Sequence, residues 1–305
     1  MPSASHTLAD RFDPSLLSTL EGLDFKARYV MEGFLSGLHD SPFHGFSVEF
    51  SDYRNYQPGD DLRHLDWRLF ARSDRLCIKR YMQETNVRFY IVCDTSASMS
   101  YRGANAWGSK LECAQVLAAA LTWFLLRQND AAGMVTTRAE SGAAEYVRPS
   151  QRPSQLGLML RQLDGLRAAG GACLAQLLQH AARLVHRRSV ILLFSDLLEP
   201  SDEIALALKQ LRFLQHELIV FQTLDRDELE FPFNEPRVFQ DLESGARRAV
   251  TPAAARKAYL ERFQTFMNSY RQLFQNLEVA HCVVRTDDNP WRALALFLAE
   301  RKRFG

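Results

Sequence analysis

Two apolar runs, each ending in an aspartate, constrain this chain most. Phe89-Tyr90-Ile91-Val92-Cys93 is rich in β-branched and aromatic residues and stops at Asp94. Ser189-Val190-Ile191-Leu192-Leu193-Phe194 is equally apolar and stops at Ser195-Asp196. Such runs are the pattern of strands buried on both faces of a sheet. After Asp94 the residues turn small and hydroxylic: Thr95, Ser96, Ser98 and Ser100. A turn region with Gly103 and Gly108 then leads into a strong helical pattern from Lys110 to Arg127. A carboxylate and several hydroxyls therefore sit at the C-terminal end of a buried strand, before a helix. In open α/β sheets that edge is where ligands bind. If the two strands are neighbours, Asp94 and Asp196 reach one crevice.

The spacing Asp94-x-Ser96-x-Ser98 has a chemical use. Oxygen ligands from one tight loop converge on a hard divalent cation, which takes oxygen donors and retains waters. The same residue types also serve as ordinary helix caps and turn formers, so the loop alone leaves both readings open.

From Val87 onward strand and helix patterns alternate, which predicts a largely parallel sheet with helices on both faces. Strands are expected at 130–137, 145–148, 218–224 and 278–285, and helices at 153–166, 172–185, 202–215 and 252–276, with Pro290 opening a last helix. The apolar stripe Tyr259, Phe263, Phe266, Tyr270, Leu273 and Phe274 reads as a core face. Residues 228–250 break the rhythm and predict an inserted β-hairpin around the turn Glu243-Ser244-Gly245. Upstream, 16–23 and 25–37 read as helices, and 46–53 and 75–81 as strands. The division expected is an N-terminal helical and β-rich segment, 1–85, and an α/β domain, 86–305. The hairpin is expected to pack with the N-terminal strands as a small β-rich appendage.

Residues 52–72 are dense in Arg, Asp and aromatics, among them Arg54, Arg63, Asp66 and Trp67. Two readings stand side by side: an internal Arg–carboxylate network that holds an irregular segment, or a docking surface for a partner.

Composition narrows the class. Lys and Arg number 37 against 36 Asp and Glu, a formal charge of +1, so bulk electrostatics gives no reason to expect nucleic acid. The five cysteines stand at no metal-binding spacing and read as small buried hydrophobes of a reducing compartment. Met1 to Pro14 is polar, without the apolar centre of a leader, and the longest apolar stretch, Val116 to Leu126, is too short to span a bilayer. A cytoplasmic protein with no integral membrane segment is the expectation.

Asp94-x-Ser96-x-Ser98 after an apolar strand resembles the metal-ion-dependent adhesion site (MIDAS) of von Willebrand factor A domains. The stretch Phe50-Ser51-Asp52-Tyr53-Arg54-Asn55-Tyr56-Gln57-Pro58-Gly59-Asp60-Asp61-Leu62-Arg63-His64-Leu65-Asp66-Trp67-Arg68 narrows this further. It resembles the signature of the bacterial domain of unknown function 58 family, whose members accompany MoxR-type AAA+ ATPases. The similarity continues through Asp196 and Leu242-Glu243-Ser244-Gly245.

The resemblance implies a von Willebrand factor A-like α/β fold. It implies that Ser96 and Ser98 bind Mg2+ or Mn2+ directly, with Asp94 and Asp196 binding directly or through water. The implied role is that of a non-enzymatic, chaperone-like adaptor working with a MoxR-type AAA+ ATPase, possibly with a client protein to be assembled or activated. The adhesion pattern also calls for a threonine hydroxyl where this chain reads Gly170-Gly171-Ala172-Cys173, so Ala172 replaces an expected ligand. A metal-free binding domain with a degenerate site is the alternative. A third is a phosphatase-like hydrolase, since a strand ending in Asp94 resembles haloacid-dehalogenase-type phosphatases. Ser96 stands where their acid–base aspartate belongs, and it cannot supply a proton at neutral pH.

Overall fold

The computed structural model describes residues 16–39, 53–55, 77–79, 87–137, 143–170, 173–198 and 201–301. The chain forms two compact units, residues 42–86 and the remainder. In the smaller unit, β1 (Tyr53–Asn55) pairs antiparallel with β2 (Cys77–Lys79). The rest of the strands expected at 46–53 and 75–81 lies outside the described residues.

The larger unit is built on a six-stranded sheet of order β10-β7-β6-β3-β4-β5. Its strands are β3 (Arg88–Cys93), β4 (Ala131–Thr137), β5 (Ala144–Ser150), β6 (Val190–Ser195), β7 (Glu217–Leu224) and β10 (Ala280–Arg285). All neighbours run parallel except β5, which pairs antiparallel with β4 at one edge. This order, with chain connections reversing direction beside β3, is the von Willebrand factor A-like arrangement. Where β5 meets β4 the register slips between Ala132 and Met134. Gly133 sits there because a Cβ would lie 2.6 Å from the Val147 carbonyl oxygen.

Strand alternation divides the core in two. Phe89, Ile91 and Cys93 of β3, with Val190, Leu192 and Phe194 of β6, face one layer. That layer contains α1 (Leu16–Thr19), α2 (Leu23–His39), α3 (Lys110–Arg127), α4 (Ser154–Gly165) and α9 (Trp291–Arg301). Tyr90 and Val92, with Ile191 and Leu193, face the other, made of α5 (Leu174–Leu184), α6 (Ser201–Phe213) and α8 (Pro252–Asn276). Both central strands are thus buried on both faces, as their unbroken apolar runs require.

α3 is the central helix beneath the sheet. Its start is fixed by a capping box: the Glu112 amide donates to Ser109 Oγ (3.2 Å), and the Ser109 amide to Glu112 Oε2 (2.7 Å). Such a cap contributes about 1 kcal/mol. The run Ala118-Ala119-Ala120 lets the helix lie close against the strands, and all three residues are fully buried.

The inserted segment holds a five-residue helix, α7 (Arg226–Glu230), and then β8 (Arg237–Gln240) paired antiparallel with β9 (Arg247–Val250). The hairpin expected at 228–250 is therefore present, and it belongs to the larger unit. Among the described residues, no helix is long and apolar enough to cross a membrane.

Candidate functional site: the Asp94 loop

β3 and β6 are adjacent and parallel, with Cys93 opposite Phe194. The pairing extends one step beyond β3, where the Asp94 amide donates to the Phe194 carbonyl at 2.9 Å. The two aspartates that end the strands consequently share one crevice at the C-terminal edge of the sheet. Both are almost fully buried.

The loop is folded around Asp94. Its Oδ1 accepts the Ser96 amide at 2.9 Å and its Oδ2 accepts the Ser195 hydroxyl at 2.6 Å. Ser195 Oγ in turn accepts the Leu197 amide at 2.9 Å, tying the two strand ends together. Burial and the charge of Asp196 push the Asp94 carboxyl up to about 7, against the pull of hydrogen bonds from Ser195 and Ser96. Burial and the nearby Asp196 thus disfavour the ionised form of Asp94.

Ser96 Oγ and Ser98 Oγ lie 3.2 Å apart, brought to one side by the 3-10 turn Ala97–Ser100. Neighbouring ligands of an octahedral magnesium site, with bonds of about 2.1 Å, stand roughly 3 Å apart, so the hydroxyl pair fits a hard cation. The third strand of the site is β4, where Thr137 Oγ1 lies 3.2 Å from Thr95 Oγ1. The loop after α4 also arrives here, with the Ala169 amide donating to the Thr95 carbonyl at 3.0 Å. Ala172 itself lies outside the described residues.

Asp196 has a second partner that sequence reasoning missed. Lys110 Nζ, at the start of α3, donates to Asp196 Oδ2 at 2.7 Å and to Glu228 Oε1 at 2.6 Å. The lysine side chain is fully buried. Burial alone would lower the Lys110 ammonium, but Asp196 and Glu228 outweigh it and hold it above the ordinary lysine range. One signal was available in the sequence: a lysine in the first turn of a helix opposes the helix dipole, so a buried carboxylate partner should be sought.

The donor set thus fits a hard cation at Asp94, Ser96 and Ser98, while Asp196 is shared with an internal ammonium. Among the described residues, no group of three or more His, Cys, Asp and Glu side chains is arranged to hold a metal. The Ser hydroxyls would have to carry the coordination. Glu243, also missed, lies over the loop: its Oε1 accepts the Ser98 amide at 2.8 Å. Of the residues considered for partner docking, Arg54 lies in β1 of the smaller unit. Arg63, Asp66 and Trp67 lie outside the described residues.

The family described as "Protein of unknown function DUF58" matches residues 52–268. The chain belongs to that family. Among its relatives, uncharacterized protein Rv1480 of Mycobacterium tuberculosis is 28% identical over 249 residues, covering 79% of this chain and 76% of the relative. Uncharacterized protein Mb1516 of Mycobacterium bovis matches to the same extent, 28% over 249 residues. Solved structures of similar chains include BatB from Bacteroides thetaiotaomicron, 13% identical, covering 71% of this chain and 99% of that one, with a TM-score of 0.41. An aerotolerance-related membrane protein from Bacteroides fragilis is 18% identical, covering 71% and 99%, with a TM-score of 0.45.

Proposed function

We propose that this family member is a non-enzymatic protein-interaction domain whose Asp94 loop receives a carboxylate from a partner protein. The observation that carries the reading is the meeting of Asp94, Asp196 and the Ser96–Ser98 hydroxyl pair at one sheet edge, with an O–O distance of 3.2 Å between the hydroxyls. Ser96, Ser98, Asp94 and Asp196 would hold Mg2+ or Mn2+. Bound there, the cation supplies a hard positive centre that takes a carboxylate oxygen from outside. The chain's own residues position that centre: Ser195 and the Ser96 amide fix the Asp94 carboxylate, and Lys110 fixes Asp196.

Two observations favour recognition over hydrolysis. Both Asp94 oxygens are already engaged by donors, and the carboxylate is buried, so it is poorly placed to attack a phosphoryl group. Ser96 occupies the position where a hydrolase of that kind would carry its acid. The partner implied by the family resemblance is a MoxR-type AAA+ ATPase, with a client protein as a third component.

A second reading dispenses with the metal. Lys110 already gives Asp196 a buried positive charge at 2.7 Å, and Ala172 offers no hydroxyl. On this reading the same loop docks a partner directly.

Calorimetric titration of Mg2+ and Mn2+ into chelator-treated protein decides between the two, with Asp94→Ala alongside. Saturable binding lost in the variant supports metal-bridged capture; no binding at millimolar metal leaves direct docking. Capture of a purified MoxR-type ATPase tests the reading as a whole. Capture unaffected by Asp94→Ala would exclude this loop as the recognition surface.

A further inference from the structure

The β8–β9 hairpin ends on the loop that the proposed function assigns to recognition. At its root, Phe231, Phe233 and Phe239 pack together with centroid separations of 5.1 to 5.6 Å, and Phe231 packs at a tilt against Tyr259 at 4.6 Å. Arg256 clamps that root through the Phe231 and Phe233 carbonyls, at 3.1 and 2.7 Å. Between root and tip the strands are exposed, with Val238 62% accessible. A two-stranded hairpin has little stability of its own, so the contacts at its two ends determine where it lies.

The tip is preorganised. Asp241 Oδ1 accepts the amides of Glu243 (2.8 Å) and Ser244 (3.2 Å), and Gly245 turns the chain at a φ of +72°. This turn presents the Glu243 carboxylate outward. It lands on the Ser98 amide, 145 residues away in sequence, at 2.8 Å. A carboxylate already rests, therefore, on the loop whose proposed ligand is a carboxylate. Glu243 is exposed to solvent and Ser98 only half-buried, so the contact can be exchanged for another.

We propose that Glu243 is an internal carboxylate that covers the Asp94 loop, and that a partner docks by displacing it with a carboxylate of its own. The proposal rests on the carboxylate-receiving reading of the loop. Because the hairpin is tethered, Glu243 competes at an effective concentration in the millimolar range. An isolated acid therefore competes poorly. A partner must combine its carboxylate with further contacts, such as a surface that engages the hairpin as it lifts.

The test follows the Ser98 amide by NMR in the full chain, in magnesium-containing buffer, during a titration with sodium acetate against sodium chloride of equal ionic strength. In Glu243→Gln, the Ser98 amide is expected to move upfield, and acetate to return it saturably, with a midpoint roughly tenfold or more below any response of the wild type. Asp241→Ala, which loosens the tip but keeps Glu243, is expected to give an intermediate midpoint. Equal acetate response in wild type and Glu243→Gln would overturn the internal-ligand proposal while leaving the loop as a carboxylate receiver. No acetate response in either protein would overturn the receiving reading itself, and the proposal with it.

Discussion

Lys110 Nζ lies 2.7 Å from Asp196 Oδ2, with neither side chain meaningfully exposed to solvent. The ion pair joins the first turn of α3 to the end of β6, and Glu228, 2.6 Å from the same ammonium, extends it to α7. The site is therefore not an acidic loop alone. It has an internal cation that holds one aspartate in place, and the second aspartate, Asp94, remains with hydrogen bonds as its only neutralising partners among the described residues. Asp196 is tied to α3 by that ion pair, while Asp94 is tied by hydrogen bonds to its own loop and to Ser195.

Lys110→Met should test that ion pair. Removing the ammonium leaves Asp196 and Glu228 buried without their counter-charge, which typically costs about 3–5 kcal/mol. Urea unfolding should show a loss of that order, with Lys110→Arg recovering part of it. A loss below about 1 kcal/mol would mean that water or rearrangement replaces the lysine easily, and that Asp196 is free for another role.

Gly103→Ala probes the same region from the turn before α3. The Asp225 carboxylate accepts the Gly103 amide at 2.9 Å and the Thr286 hydroxyl at 2.6 Å. A Cβ at residue 103 would collide with that carboxylate. Overcrowding of this kind costs roughly 1–3 kcal/mol. The loss should appear in thermal unfolding, and the cost of Gly103→Ala should shrink when it is measured in an Asp225→Ser background against Asp225→Ser alone. An equal cost in both backgrounds would show that the glycine is not held by this contact.

Much of the frame was legible because local and global signals agree. The helical pattern from Lys110 to Arg127 announces a helix, and the structure forms it over those residues. The apolar runs before Asp94 and Asp196 announce two buried strands, and β3 and β6 are neighbours. The direction of β5 was not legible: its alternating burial marks a strand at the edge, but nothing local encodes antiparallel pairing. α7 is too short to show a period, having five residues. The partners of the site were hidden for a different reason. Lys110–Glu228 and Ser98–Glu243 join residues 118 and 145 positions apart, and no spacing rule reaches across such separations.

His281 gives the fold a pH dependence away from the site. Its ring packs on Phe274 at 4.8 Å and Nε2 lies 3.0 Å from Gln222 Oε1. Burial, with a smaller contribution from Arg271, lowers its pKa from 6.5 to about 4. Below pH 6.5 the unfolded chain takes up a proton that the folded chain refuses until about pH 4. Stability should therefore fall on acidification across that window, by on the order of 3 kcal/mol at its lower end. His216, lowered by burial, contributes with the same sign. Urea midpoints measured across the window should fall less steeply in His281→Gln. Parallel slopes for variant and wild type would place the dependence elsewhere.

Ala172→Thr restores the hydroxyl that the adhesion pattern calls for. Three residues before it in sequence, the Ala169 amide donates to the Thr95 carbonyl at 3.0 Å. If the cation is held by Ser96 and Ser98, one more oxygen donor should tighten Mg2+ binding by roughly tenfold or more, since such affinities follow ligand number and charge. Calorimetry on wild type, Ala172→Thr and Ala172→Val separates the hydroxyl from the added bulk. Tightening in the threonine variant alone would make the missing ligand the limiting feature of the site. Identical affinities in all three would mean that water supplies that position equally well. Absence of binding in all three would favour the metal-free mode, with Lys110 as the cation built into the site.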